Sequence, residues 1–363
     1  MRLLHCIYTC TFLLAIFFFL SIARADEAKL VIVDNDFTGP PDTLSDLRSA
    51  LMFLDNSNVK VIGFTVVTGD GWRNEEVAHL FRLEEIASRS DVPVIPGAVT
   101  PLVNTIQDTH EWEKQYGHIT YKGAWDSKEE RTGEPDYSPH EADFVPPIPE
   151  GLPNIHPAQE LAADFMIRQV HAHPHEISIF AGGPLTDIAL AVRTDPEFAS
   201  LVKELVFMGA ARPPNRPDFN VRFDPEAARI VLGAHWPSIT SVGDVTYQIV
   251  LEQIDVDAIS AAHTPVGDFV VKYSGSDVSK AHLWDELCAA VLIDPTLVRE
   301  ADDEYIDVVV DHQKDYGAIR LNCHSALIEG QAKVRIVHKI DVNRFKSEFV
   351  DSMVGLSKIA PAK

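Results

Sequence analysis

The stretch that decides the fold is Val31-Ile32-Val33-Asp34-Asn35-Asp36, which runs on through Asp42 to Asp46. Lys29 to Val33 is short, apolar and β-branched, the pattern of a buried strand. Side chains alternate along a strand, so Asp34 and Asp36 are expected on one side at its carboxyl end. Phe37-Thr38-Gly39-Pro40-Pro41 breaks the strand and reads as a loop. From Asp46 the spacing turns helical, with Leu47, Ala50, Leu51 and Leu54 on one stripe. Strand end, acidic loop and helix start thus gather several carboxyls at one sheet edge. Carboxylates so close repel unless protons or a cation intervene. A hard, oxygen-loving ion, Ca²⁺ or Mg²⁺, is the natural mediator. Singly, each acid has a plainer use: Asp46 as a helix cap, Asp42 as a solvated loop charge, Asp34 as a turn former. Clustered after a buried strand, they point to a site.

Upstream, Arg2 is followed by an apolar run from Cys10 to Ile22 and by Ala23-Arg24-Ala25, a small-x-small cleavage pattern. Residues 1–25 read as a secretory signal peptide, and the mature protein is expected to be secreted. Two of the four cysteines leave with that segment; Cys288 and Cys323 remain, too few for a disulfide framework. The net charge of −23 argues against nucleic acid or an anionic membrane surface as partner. A hydrophobic content of 46% supports a sizeable core.

Downstream, strand and helix patterns alternate. Strands are expected at 59–67, 92–95, 177–180, 205–208 and 238–242. Helices are expected at 75–88, 158–170, from 224 and at 284–293. The tail adds β structure at 305–310, 317–321 and 333–340 before a last helix from Val342. Residues 101–158 interrupt the rhythm, and their aromatics Trp112, Tyr116, Tyr121 and Trp125 suggest a lid-like insertion rather than disorder. With no linker and no repeat, residues 26–363 read as one α/β domain, doubly wound around a mostly parallel central sheet. Ligands of such sheets sit beyond the carboxyl ends of the strands, where Asp34, Asp36, Asp70, Gly182, Gly209 and Asp244 would fall.

Several stretches, in order, resemble the inosine–uridine-preferring nucleoside hydrolase family, in a divergent secreted branch. Asp34-Asn35-Asp36 with Asp46 resembles its N-terminal Asp-x-Asp-Pro-Gly-x-Asp-Asp calcium motif. Gly182-Gly183-Pro184-Leu185-Thr186-Asp187-Ile188-Ala189 resembles its Gly-Pro-Leu-Thr-Asn-hydrophobic-Ala segment. Asp218-Phe219-Asn220 with Asp224-Pro225-Glu226-Ala227-Ala228 resembles Glu-Phe-Asn…Asp-Pro-Glu-Ala-Ala. Trp284-Asp285 resembles its His-Asp pair. The resemblance implies a nucleoside hydrolase-like fold and hydrolysis of a nucleoside N-glycosidic bond to free base and ribose. It implies Ca²⁺ held by Asp36, Asp46, Asp285 and the Gly182 carbonyl, with Asp34 as proton acceptor. It implies ribose hydroxyls on Asp218 and Asn220, with Asp70 nearby. Trp284 could stack on the leaving base, and His118 or another residue of the insertion could protonate it. The partner implied is a small-molecule nucleoside, with self-association open.

The residues themselves fit this chemistry. Ribosyl C–N cleavage passes through an oxocarbenium-like state, and a carboxylate-rich pocket stabilises its positive charge. The chain also departs from the family. The loop after Asp36 is longer, Ser45-Asp46 replaces the tandem aspartate, and Trp284 replaces the histidine. Two rivals remain at this level. One is a haloacid-dehalogenase-type phosphatase, with Asp34 as nucleophile and Asp36 as acid in hydrophobic-Asp-x-Asp-x-Thr. The other is a relative that binds a nucleoside or sugar without turnover.

Overall fold

The structure, a computed structural model, describes residues 28–40, 44–131, 139–209, 218–275, 277–323, 326 and 329–355. The expected signal peptide, Asp42 and the loop before Asp218 lie outside the described residues. The first half runs β1 (Lys29–Asn35), α1 (Ser45–Asp55), β2 (Val59–Val66), α2 (Arg73–Ala87), β3 (Val94–Pro96), α3 (Ile106–Tyr116), α4 (Ala162–Ala172), β4 (Ile177–Ala181), α5 (Thr186–Thr194), α6 (Phe198–Leu201) and β5 (Glu204–Phe207). The second half runs α7 (Phe219–Phe223), α8 (Pro225–Leu232), β6 (Ile239–Ser241), α9 (Gln253–Ser260), α10 (Pro265–Tyr273), α11 (Trp284–Ile293), β7 (Val298–Val308), β8 (Ile319–Cys323), β9 (Val334–Ile340) and α12 (Val342–Gly355).

The sheet order is β3-β2-β1-β4-β5-β6-β9-β7-β8. The strands from β3 to β9 in that order pair in parallel; β7 pairs antiparallel with β9 and with β8. A parallel sheet needs cover on both faces, and the side-chain alternation of β1 supplies it. Val31 and Val33 pack with Phe53 of α1, Leu287 of α11 and Phe349 of α12. Ile32 packs on the other face with Met166 of α4, Ile188 of α5 and Val231 of α8. Helix α1 is buried from Ser45 to Leu54, charged residues included. It is a central helix, not a surface one.

Helix starts follow sequence chemistry. Asp224 accepts from the Ala227 N–H at 3.0 Å with Pro225 behind it, and Thr264 accepts from Gly267 at 2.9 Å with Pro265 behind it. The insertion, where no periodicity was expected, contains α3, capped by Thr105 on the Asp108 N–H at 3.0 Å. The insertion lies on the sheet's carboxyl edge: the Ala124 N–H donates to the Gly69 carbonyl at 2.9 Å. Farther along, the Trp72 indole donates to the His140 carbonyl at 2.9 Å, and His79 pairs with Glu150. Cys288 is a free, buried thiol. Among the described residues no helix is long and apolar enough to cross a membrane.

Phe180 of β4 is fully buried and meets Phe53 of α1 edge-on at 5.1 Å. Phe180→Ala should cost about 3–5 kcal/mol of unfolding free energy, read from chemical denaturation.

Candidate active site

From β1 the chain builds β2 and β3 to one side and β4, β5 and β6 to the other, so the winding reverses between β1 and β4. The crevice at that reversal is where a doubly wound sheet binds ligand. Just past these two strands, Asp36 and Gly183 lie against each other there.

The alternation of β1 decides which acid enters the crevice. Asn35 continues the series of Val31 and Val33 toward α11, and its Nδ2 donates to Asp285 Oδ2 at 2.7 Å. Asp34 continues the series of Ile32 toward α5. Its Oδ1 accepts from the Thr65 hydroxyl at 2.6 Å, and burial, then repulsion from Asp187, hold its carboxyl well above the usual range. Asp36 stands one residue beyond the strand, so the alternation no longer binds it. Its Oδ2 accepts from the Asp70 N–H at 2.9 Å. Burial, then Asp70 and Asp285, push its carboxyl up. The expectation that Asp34 and Asp36 share a side therefore fails, because the strand ends at Asn35.

Asp46, in the first turn of α1, is not used as a cap. It is buried, and its carboxyl is raised by burial and then by Asp285, Asp36 and Asp70. Asp46 and Asp285 hydrogen-bond each other, and burial holds both carboxyls above the ordinary range, so the two titrate as a pair. Asp36, Asp46, Asp70 and Asp285 thus act on one another across four chain segments.

Backbone fills the gap between them. A Cβ on Gly182 would stand 2.1 Å from Asn35 Oδ1 and 2.6 Å from Asp285 Oδ2; one on Gly183 would stand 2.6 Å from Asp36 Oδ1. Only glycine lets the chain approach so closely. The Gly182 carbonyl accepts from Asn220 Nδ2, which also reaches the Met208 carbonyl at 3.4 Å. Asn220 is therefore spent on backbone here. Asp218 caps α7 through Val221 at 3.4 Å. Its carboxyl is pushed up to about 7, first by burial and least by Asp285 and Asp244.

Trp284 opens α11 beside Asp285. Its ring stacks on His282 at 5.1 Å and 16° and meets Tyr247 at 6.3 Å. Its Nε1 is buried without a partner among the described residues. His118 is exposed on the insertion and pairs with Glu113 at 3.0 Å. Ligand atoms of Glu113, His118 and Glu130 lie within 4.8 Å of one another. Lys122 already fills that group, pairing with Glu130 and, at 3.3 Å, with Glu113.

Sequence reasoning passed over several contributors. Asn35 was given no role, although its amide reaches Asp285. Glu76 ties the two acidic loops, accepting from Gly71 N–H at 2.8 Å and from the Thr38 hydroxyl at 3.1 Å. Arg131 donates to the Asp70 carbonyl at 3.0 Å, braced by Asp126 at 2.9 Å.

A model of the family described as inosine-uridine preferring nucleoside hydrolase matches residues 31–347. The chain belongs to that family. Nucleoside hydrolase relatives are distant. A Schizosaccharomyces pombe protein described as "Uncharacterized protein C800.11" is 26% identical over 91% of this chain and 86% of its own length. The "Probable uridine nucleosidase 2" of Arabidopsis thaliana is 28% identical over 68% of this chain and 69% of its own. Among solved structures, a purine-preferring ribonucleoside hydrolase from Gardnerella vaginalis superposes with a TM-score of 0.72 at 22% identity, covering 92% of this chain and all of that one. The fold is the nucleoside hydrolase fold, and the haloacid-dehalogenase reading falls with it.

Buried carboxyls set a pH dependence. Asp218 and Asp187 are each pushed from 3.8 to about 7, largely by burial. The folded chain keeps protons there that the unfolded chain has lost. That stabilisation is full below the ordinary value and is lost as pH rises through the raised one. The melting temperature of the metal-free protein should fall as pH is raised from about 5 to 8, and Asp218→Asn should flatten the slope.

Proposed function

We propose that the protein is a calcium-dependent nucleoside N-ribohydrolase, secreted after loss of residues 1–25, that releases free base and ribose. The observation that carries this reading is the convergence of Asp36, Asp46, Asp70 and Asp285 on one another, with Asp36 and Asp285 against the Gly182-Gly183 backbone, in a nucleoside hydrolase chain. A hard cation fits the donors. They are oxygens, they are buried, and Asp46 Oδ2 and Asn35 Oδ1 lack hydrogen-bond partners among the described residues. Asp36, Asp46, Asp285 and the second lone pair of the Gly182 carbonyl would hold it. Bound there, Ca²⁺ supplies a grip on vicinal ribose hydroxyls and a lowered pKa for water.

The chain's own residues do the rest. Asp36, the acid of the Asp34–Asp36 pair that faces the cluster, is the better candidate to take the proton of the attacking water. Asp34, turned to Thr65 and Asp187, braces the end of β1. Asp218 and Asp70 offer carboxylates to ribose hydroxyls, and the acidic crevice stabilises positive charge growing on the sugar. Trp284 flanks the leaving base and can donate from Nε1. The named uridine nucleosidases among the relatives make uridine the first substrate to try. Extracellular nucleoside salvage would follow from the address.

A second reading, binding without turnover, is favoured by Ser45. Where the family's tandem aspartate stands, its hydroxyl donates to Glu286 at 2.6 Å instead.

Incubation of the purified protein with uridine, cytidine, inosine and adenosine separates the two. Release of base and ribose is expected from at least one, abolished by chelator and cut about 10³-fold or more by Asp36→Ala, with Asp34→Asn milder. Binding of a nucleoside by calcium-loaded protein, with no base released from any, selects the second reading.

A further inference from the structure

We infer that Ser45, Arg48 and Glu286 form a positioning relay that locks the first turn of α1 to the first turn of α11 and thereby sets the spacing of Asp46 and Asp285. The inference rests on the reading of those two aspartates as calcium ligands.

The relay is continuous. The Asp285 N–H donates to Ser45 Oγ at 3.1 Å, and Ser45 Oγ donates to Glu286 Oε2 at 2.6 Å. Arg48 Nε donates to the other oxygen, Glu286 Oε1. Ser45, Arg48 and Glu286 are at most 1% exposed. Ser45 immediately precedes Asp46, and Glu286 immediately follows Asp285. Each contact therefore acts within one residue of an expected ligand, across some 240 residues of chain.

Stability is a poor reason for such a group. A buried ion pair replaced by apolar residues of similar volume is often as stable or more so. Arg48 also leaves Nη2 buried without a partner among the described residues, which costs rather than gains. Register is the better reason. The two helices pack along each other with their first turns together beside the crevice, and a leucine–leucine contact there would permit sliding. A serine shared between a backbone N–H and a carboxylate, with that carboxylate pinned by a guanidinium, has one geometry. Ligand groups must be held to about half an ångström to share one ion, and that precision comes from the groups behind them. Asn35 completes the arrangement by fixing the Asp285 carboxylate itself at 2.7 Å.

The test is calorimetric titration of Ca²⁺ into the metal-free full chain. It compares wild type, Ser45→Ala, the double variant Arg48→Met with Glu286→Leu, and Trp236→Phe as a remote core control. Amide hydrogen exchange at Asp285 is measured on the same metal-free samples. The relay requires Ca²⁺ affinity to fall by about 10- to 100-fold in both relay variants. The double variant's melting temperature should stay near wild type; that of Ser45→Ala should fall, because it leaves the Asp285 N–H and Glu286 Oε2 without their partner, and its Asp285 amide should exchange faster. The control should lower the melting temperature and leave affinity alone. Should the double variant not fold, Ser45→Ala still decides. Wild-type affinity and unchanged Asp285 exchange in folded Ser45→Ala overturn the relay while leaving the calcium reading intact. A wild type that takes up no Ca²⁺ overturns the calcium reading and, with it, the relay's purpose.

Discussion

Repulsion among buried carboxylates is the constraint on which this structure depends. Asp36, Asp46 and Asp285 are each almost inaccessible to solvent, and Asp36 and Asp46 are held well above the ordinary carboxylate range by burial and by their neighbours. Charges in a dry site are costly unless paired. The fold meets that cost partly from outside the cluster, with Asn35 and the Asp70 N–H as donors and Arg48 as a counter-charge behind Asp285. What is left over, carboxylate oxygens of Asp36 and Asp285 set close against the Gly182-Gly183 backbone, is where the proposed cation would sit.

The architecture follows from holding those oxygens together. Parallel strands bring their carboxyl ends to one edge, and the reversal of winding between β1 and β4 opens a crevice there. Helix α1 is buried in the interior by its apolar residues, Leu47 to Leu54, and its first turn comes out beside Asp285. The insertion closes over the same edge, with Arg131 on the Asp70 carbonyl and Ala124 on Gly69. The acidic crevice and the core packing are thus parts of one arrangement, joined where Ser45 and Glu286 link the buried first turns of α1 and α11.

Much of this was legible in the chain. The apolar run before Asp34 and the helical stripe after Asp46 gave strand and helix from local pattern, and the Gly182-Gly183 stretch was given its role at the site only by its resemblance to the family. The bounds of α11 were read as they stand, Trp284 to Ile293. The misreadings have physical causes. Period-two alternation was carried one residue too far, which put Asp34 with Asp36. Helix α3 buries only Thr109, so it shows no apolar stripe; its capping threonine was the available signal. Helices α9 and α10 were passed over although Thr264-Pro265 marks the start of one of them. The pairing of Ser45 and Arg48 with Glu286 had no local signature at all, since nothing in a single sequence links positions so far apart.

The central claim is that side chains from β1, α1 and α11 share one divalent ion. A crystal structure of the protein grown with Ca²⁺, with the ion located by its anomalous scattering, measures this directly. The account requires a single strong peak with oxygen ligands from Asp36, Asp46 and Asp285 at about 2.3–2.6 Å. A fully ordered crevice with no peak between these residues, or a peak only at Glu113, His118 and Glu130, would contradict it.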